Sequence, residues 1–184
     1  MKLNFGCGNV PLKGYQNMDR EQCDLEKLPL PFKTKSVEKI YCSHVLEHVH
    51  VNLLSLMQEF ERILKDDGMM YIRVPHFSWH NAYDELHCRF FNYNSFGTIY
   101  DNSVERGYYS HFSRVVKIKF FKKYFFWNYL IEPIVNINSR TALIWESTFL
   151  CRLFPANELH FILRKNKMGI GKPVKNETQL KSGN

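Results

Sequence analysis

The stretch LNFGCGNVPLKGYQNMD, Leu3 to Asp19, poses the question on which the fold turns. An apolar, strand-like start runs into the turn Gly6-Cys7-Gly8, and an acidic residue follows at Asp19. Glycines at such a turn remove side chains, so that a ligand can lie against backbone amides at the carboxyl end of a strand. Paired glycines are also common in ordinary turns. Only about ten residues separate Gly8 from Asp19, whereas a dinucleotide fold spaces these features by roughly twenty. Read alone, the stretch is either a cofactor loop or a tight turn, and the residues downstream of Asp19 distinguish the two.

Outward from this stretch, KLNF and YQNMD read as two short strands, each ending at candidate ligand residues. DLEKLPLPFKTKS contains Pro29 and Pro31 and reads as an irregular connection, because proline lacks an amide donor. VEKIYCS, Val37 to Ser43, resumes strand character. Leu53, Leu56, Met57, Phe60, Ile63 and Leu64 then recur at helical spacing after Asn52, a good N-cap, in a run that stops at DDG. MMYIRV is an apolar strand stopped by Pro75. This order predicts an α/β sheet with parallel neighbours.

The segment from His76 to Tyr109 is polar and aromatic without a clean period, which predicts loops and short helices above the sheet, where substrate contacts gather. RVVKIKFF and ELHFILRK alternate as strands. Between them YFFWNYLIEPIVNI is strongly apolar, too short to span a bilayer, and expected to be a buried or interfacial cap. Residues 166–184 form a polar tail, expected to be flexible.

With 184 residues, 45% of them hydrophobic, the chain suits one domain, expected over residues 1–165. Cys7, Cys23, Cys42, Cys88 and Cys151 form no CxxC pair, and no basic region followed by an apolar signal stretch opens the chain. A reduced, cytoplasmic protein with free thiols is expected. The net charge of +7 permits an acidic partner such as nucleic acid, a phosphorylated metabolite or an anionic membrane surface. Much of the excess lies in KIKFFKK and the tail, where a solvated face explains it equally well.

Several motifs in series resemble a known family. LNFGCGN, GYQNMD, CDLEKLPLPFKTKSVEKIYCSHVLEHV, FERILKDDGMMYIRVPHF and LHCRFFNYNSF look like successive motifs of class I S-adenosylmethionine-dependent methyltransferases of the type-11 kind, with an echo in FPANELHFILR. The resemblance implies a Rossmann-like α/β fold: a mostly parallel sheet of about seven strands, the last antiparallel, here with a shortened N-terminal half. It implies S-adenosylmethionine as cofactor. Phe5, Gly6, Cys7 and Gly8 would line its methionine part, Asp19 would accept from the ribose hydroxyls, Asp24 and Leu25 would border the adenine, and Ser43 and His44 would lie beside the sulfonium. Asn4 stands where the family often has an acidic residue, and Val10 where it has a third glycine. The trimmed first half leaves one side of the cofactor that a second subunit could cover, so a homodimer is a possible arrangement.

The implied reaction is methyl transfer to a hydroxyl or amine of a small molecule or glycan precursor. A methyl on sulfonium is already a strong electrophile, so the protein mainly aligns donor and acceptor and excludes water. A general base for a hydroxyl acceptor would come from His76, His80, His87 or His111, which follow MMYIRV. No metal site is expected: His76 and His80 share a helical face only if HFSWH is helical, and HVLEH lacks the zinc-protease spacing. Nucleic acid is disfavoured as acceptor, since both the Asp/Asn-Pro-Pro-aromatic motif and the Pro-Cys nucleophile of DNA methyltransferases are absent. The apolar cap and its lysines allow peripheral membrane contact. The rival from another class is a cofactor-binding regulatory or scaffold protein without transfer activity.

Overall fold

A computed structural model describes residues 1–97, 112–123 and 125–165; His111 and the polar tail lie outside the described residues. Strands β1 (Lys2–Phe5), β2 (Gln16–Met18), β3 (Val37–Ser43), β4 (Leu64–Pro75), β5 (Phe112–Lys119) and β6 (Glu158–Lys165) form one sheet in the order β2-β1-β3-β4-β6-β5. β1 pairs in parallel with β2 and β3, and β3 in parallel with β4. β6 runs antiparallel to both β4 and β5. The parallel sheet and its antiparallel last strand are as expected, with six strands among the described residues where the resemblance implied about seven.

The physical reason for the smaller sheet is visible between Asp19 and Ser36. This prolyl-rich connection forms no strand and is instead pinned to the helix α1 (Leu53–Ile63). Glu59 accepts from the Leu30 amide at 3.0 Å, while Arg62 donates to the carbonyls of Leu30 and Phe32 at 3.0 and 2.9 Å. Side chains of α1 thus supply the hydrogen bonds that a strand ladder would have supplied. Asn52 caps α1 by accepting from the Ser55 amide, and Leu56, Met57, Phe60 and Ile63 are its buried face. The helix ends at Ile63 and Leu64 already pairs with Val37; the sheet register then shifts before Lys39 meets Met69, so Asp66-Asp67-Gly68 sits in a bulge of β4.

Asn4 and Asn17 answer each other across β1 and β2. Asn4 is buried and donates to Asn17 Oδ1 at 2.7 Å, and Asn17 also takes the Leu12 amide and donates to the carbonyls of Leu12 and Tyr15. The uncharged residue at position 4 therefore holds the β1–β2 connection in place, which a carboxylate there could not do by donating.

The apolar segment after β5 forms α2 (Asn128–Val135), followed by α3 (Ser139–Ser147) and the single turn α4 (Leu150–Leu153). Val135, Ala142, Trp145 and Cys151 face the core, but Phe126, Tyr129, Leu130, Ile134 and Ile137 are exposed, so the cap is only half buried. Glu132 anchors it to β5. Its carboxylate takes Lys119 Nζ at 2.9 Å, the Phe120 amide at 3.1 Å and Lys122 Nζ at 3.2 Å. Burial alone would raise the Glu132 carboxyl, yet these donors hold it below the usual carboxylate range. A depressed folded value contributes stability that is present above the unfolded value and lost as pH falls through the folded one. Glu132→Gln is therefore expected to lower the melting temperature near pH 7, with the deficit against wild type shrinking as thermal scans move toward pH 3.

Candidate active site

β1 has β2 on one side and β3 on the other, all parallel, so the chain leaves the carboxyl end of β1 at the point where strand order reverses. Such a point opens a crevice for ligands. A cavity of about 320 Å³ lies there, lined by Gly6, Gly8, Asp19, Asp24, Leu25 and His44 together with Arg20, Cys23, Glu26, Val45, His48 and Val49. Its volume is at the low end of small-molecule sites, which span roughly 300–1,000 Å³.

The two glycines do different work. Both have positive φ, +64° at Gly6 and +46° at Gly8. A Cβ on Gly6 would stand 2.3 Å from Val45 Cγ2, so this glycine lets the loop pack against the turn after β3. A Cβ on Gly8 would meet nothing within 4 Å and would project into open space. Asp19 follows the last residue of β2 and closes on the loop, accepting from the Gly8 amide at 3.0 Å and the Cys7 thiol at 3.3 Å. Asp24 is held by the Glu26 amide at 3.0 Å and by Arg20 at 3.6 Å.

Of the other residues expected at the cofactor, Phe5 is buried in the core, stacked on Phe60 at 5.6 Å between ring centroids, Cys7 touches the site through Asp19, and Ser43 is not among the lining residues. Arg20, Glu26, Val45 and Val49 were not singled out from the sequence, and Cys23 was read only as a free thiol. Their signal was weak because they are turn residues whose approach depends on how the irregular connection and the turn after β3 fold back.

A second, larger cavity of about 1,030 Å³ adjoins the first and shares His44 and His48 with it. One wall is polar, with Glu47, His80, Asp84, His87, Asn157 and Glu158; the other carries Trp79, Phe121 and Phe125. His44 stands between the cavities with φ +55°, an uncommon conformation for a residue with a side chain. Its Nε2 lies 3.3 Å from Glu158 Oε1 and its Nδ1 3.2 Å from Glu47 Oε1. The Glu158 hydrogen bond, with Glu47 adding to it against burial, raises the imidazole to about 9. Glu158 also takes Arg73 and His160, each at 2.8 Å, and these donors outweigh burial to hold its carboxyl far below the usual range.

The four histidines proposed as bases part company. His76 is fully buried: its Nδ1 accepts the Ser78 amide at 3.0 Å, so Nε2 carries the proton and donates to Glu146 at 3.0 Å. Burial holds it neutral, below its ordinary value, and it lines neither cavity. It fastens the β4 end to α3. His80 and His87 line the larger cavity, and His111 lies outside the described residues.

Residues 3–72 match the family model described as a methyltransferase domain. The matched stretch runs from β1 into β4 and takes in the glycine turn, Asp19, Asp24 and His44. In fold, the chain is similar to an S-adenosylmethionine-dependent methyltransferase from Archaeoglobus fulgidus, with 15% identity, a TM-score of 0.52, and coverage of 89% of this chain and 85% of that one. It is also similar to phosphoethanolamine N-methyltransferase 2 of Haemonchus contortus, solved with phosphomonomethylethanolamine and S-adenosylhomocysteine, at 14% identity and a TM-score of 0.55; the likeness covers 91% of this chain and 49% of that one. No curated protein sequence matches this chain.

The smaller cavity fits a methyl donor of this class. It offers a strand-end carboxylate at Asp19, open space beside the Gly8 backbone, and the apolar side chains of Leu25, Val45 and Val49. The two glycines separate experimentally. Gly6→Ala is expected to cost about 1–3 kcal/mol in urea denaturation through its clash and its φ, whereas Gly8→Ala, which adds only the backbone strain, costs less and acts chiefly on ligand binding in the cavity.

Proposed function

We propose that this methyltransferase carries a methyl group from S-adenosylmethionine in the smaller cavity to a hydroxyl or amine of a small molecule or glycan precursor in the larger one. The observation that carries this reading is the shared wall: His44 and His48 border both cavities, so a donor in one and an acceptor in the other meet at a single seam. The polar wall suits an acceptor with hydroxyl or amine groups, and the aromatic wall suits an apolar or sugar ring face beside it.

S-adenosylmethionine supplies an activated methyl on its sulfonium. The chain's own residues bind, orient and shield. Gly6 and Gly8 give close backbone approach, Asp19 takes the ribose hydroxyls while its grip on the Gly8 amide keeps the loop shaped, and Asp24 and Leu25 border the adenine. His44, charged at neutral pH and held between two carboxylates, fixes the seam rather than moving a proton. His80, in the larger cavity, is the imidazole placed to take a proton from a hydroxyl acceptor.

The test is binding followed by turnover. Calorimetry with S-adenosylhomocysteine is expected to show one site per chain, abolished in Gly8→Arg and weakened roughly 10–100-fold in Asp19→Ala, the loss of charge-assisted hydrogen bonds. Methyl transfer into a metabolite extract then identifies the acceptor. Unchanged binding in both variants would remove the assignment of the smaller cavity.

The cap supports a further element of this reading, contact with an anionic membrane carrying a lipid-linked acceptor. Phe126, Tyr129, Leu130, Ile134 and Ile137 are exposed on one short segment that follows the lysines of KIKFFKK. No helix of the described residues is long and apolar enough to cross a membrane. Sedimentation with phosphatidylglycerol vesicles, lost on Leu130→Asp with Ile134→Asp, is the expected result; wild type left in the supernatant at low salt overturns it.

A further inference from the structure

Glu47, His48 and His87 each place one ligating atom within 4.8 Å of the other two. The protonation pattern around them is informative. His48 Nδ1 lies 3.2 Å from the Leu86 carbonyl, and His87 Nδ1 lies 3.2 Å from the Ala82 carbonyl. A carbonyl oxygen only accepts, so both Nδ1 atoms carry a proton, and in the neutral imidazole Nε2 is then the nitrogen with the lone pair. This is the arrangement in which a metal-ligating imidazole is usually held, its second nitrogen donating to a backbone carbonyl.

Glu47 supplies the independent observation. Its side chain is buried, and neither carboxyl oxygen has a hydrogen bond among the described residues. His44 Nδ1 comes within 3.2 Å of Oε1, an ion-pair distance off the hydrogen-bonding direction, and Oε2 has no such neighbour. A buried carboxyl group with no hydrogen bond is costly, and here it stands beside two imidazoles. His44 approaches Oε1 alone, so the cluster still gathers more acceptor atoms than donors, which is the need a cation meets.

The frame around the cluster is stiff. The Cys88 amide donates to the Glu47 carbonyl at 2.8 Å, the Cys88 thiol reaches the Glu47 and Val49 carbonyls, and Arg89 donates to the carbonyls of Leu46 and Val51. Two loops far apart in sequence are thus laced together at the residues that flank the cluster.

We propose that Glu47, His48 and His87 bind a divalent transition-metal ion, such as Zn²⁺, Mn²⁺ or Co²⁺, at the seam between the two cavities. Two imidazoles and one carboxylate are a ligand set for such ions, and three protein ligands leave coordination positions open. Glu47 and His87 face the larger cavity and His48 both, so an acceptor oxygen can complete the coordination, which lowers the pKa of a hydroxyl held there. That role rests on the methyl-transfer reading; the ion site itself does not.

The full chain, stripped with chelator, is titrated with Co²⁺ and with Zn²⁺ by visible absorption and calorimetry. The expected result is one ion per chain, bound at least roughly tenfold more weakly by Glu47→Gln and by His87→Ala, and with unchanged affinity by His80→Ala, which alters the same cavity outside the cluster. Retained S-adenosylhomocysteine binding shows that the variants are folded. Absence of one-to-one binding in wild type, or unaltered affinity in both Glu47→Gln and His87→Ala, overturns the site. A protein that binds the ion but not S-adenosylhomocysteine keeps the metal site and loses the cofactor assignment; the opposite pattern does the reverse.

Discussion

The parallel pairing of β1 with β2 on one side and β3 on the other is the constraint on which the rest of the molecule depends. Three parallel strands ending together force their connections apart, and the gap at their carboxyl ends is where backbone amides and strand-end side chains point without a neighbour. Gly6 and Gly8 allow the chain to turn through that gap, and Asp19 closes it from β2. The Asn4–Asn17 pair holds the short β1–β2 connection that a crossover helix would otherwise provide. A chain this abbreviated keeps its site because polar side chains replace missing secondary structure, as Glu59 and Arg62 do for the prolyl connection.

A second organising feature is the charge arrangement at the seam. Arg73, His44 and His160 surround Glu158, and His44 also approaches Glu47. These side chains come from β4, β6 and the turn after β3, so the sheet itself positions them. Partly buried, they interact more strongly than exposed pairs would. The seam is consequently a polar partition between the two cavities, and its one carboxyl group without hydrogen bonds is Glu47.

Much of the sheet was legible in the sequence. Strand character marked β3, alternation marked β5 and β6, the 3.6-residue recurrence after Asn52 marked α1, and Pro29 and Pro31 marked the connection that forms no strand. The glycine loop, Asp19, Asp24, Leu25 and His44 were legible as a group because they lie at strand ends, where local pattern and position coincide. Phe5 and His76 were misleading for the same local reason: each adjoins a functional turn, but alternation along a strand and depth below the surface turn their side chains into the core. The apolar run after β5 read as a cap, yet its hydrophobicity could not say which half faced water, since that depends on where α2 lands on the sheet.

By itself the amino-acid sequence determined the order of strands and helix, the resemblance carried by its first half, and the residues delivered to the ends of β1, β2 and β3, because these depend on periodicity, turn chemistry and short motifs. Only the tertiary structure decided which histidines reach a cavity, that the two cavities share His44 and His48, and that His87 stands beside Glu47 and His48. Those contacts join residues some forty positions apart through backbone hydrogen bonds between loops, and no local pattern encodes the distance between two loops until the sheet beneath them has set it.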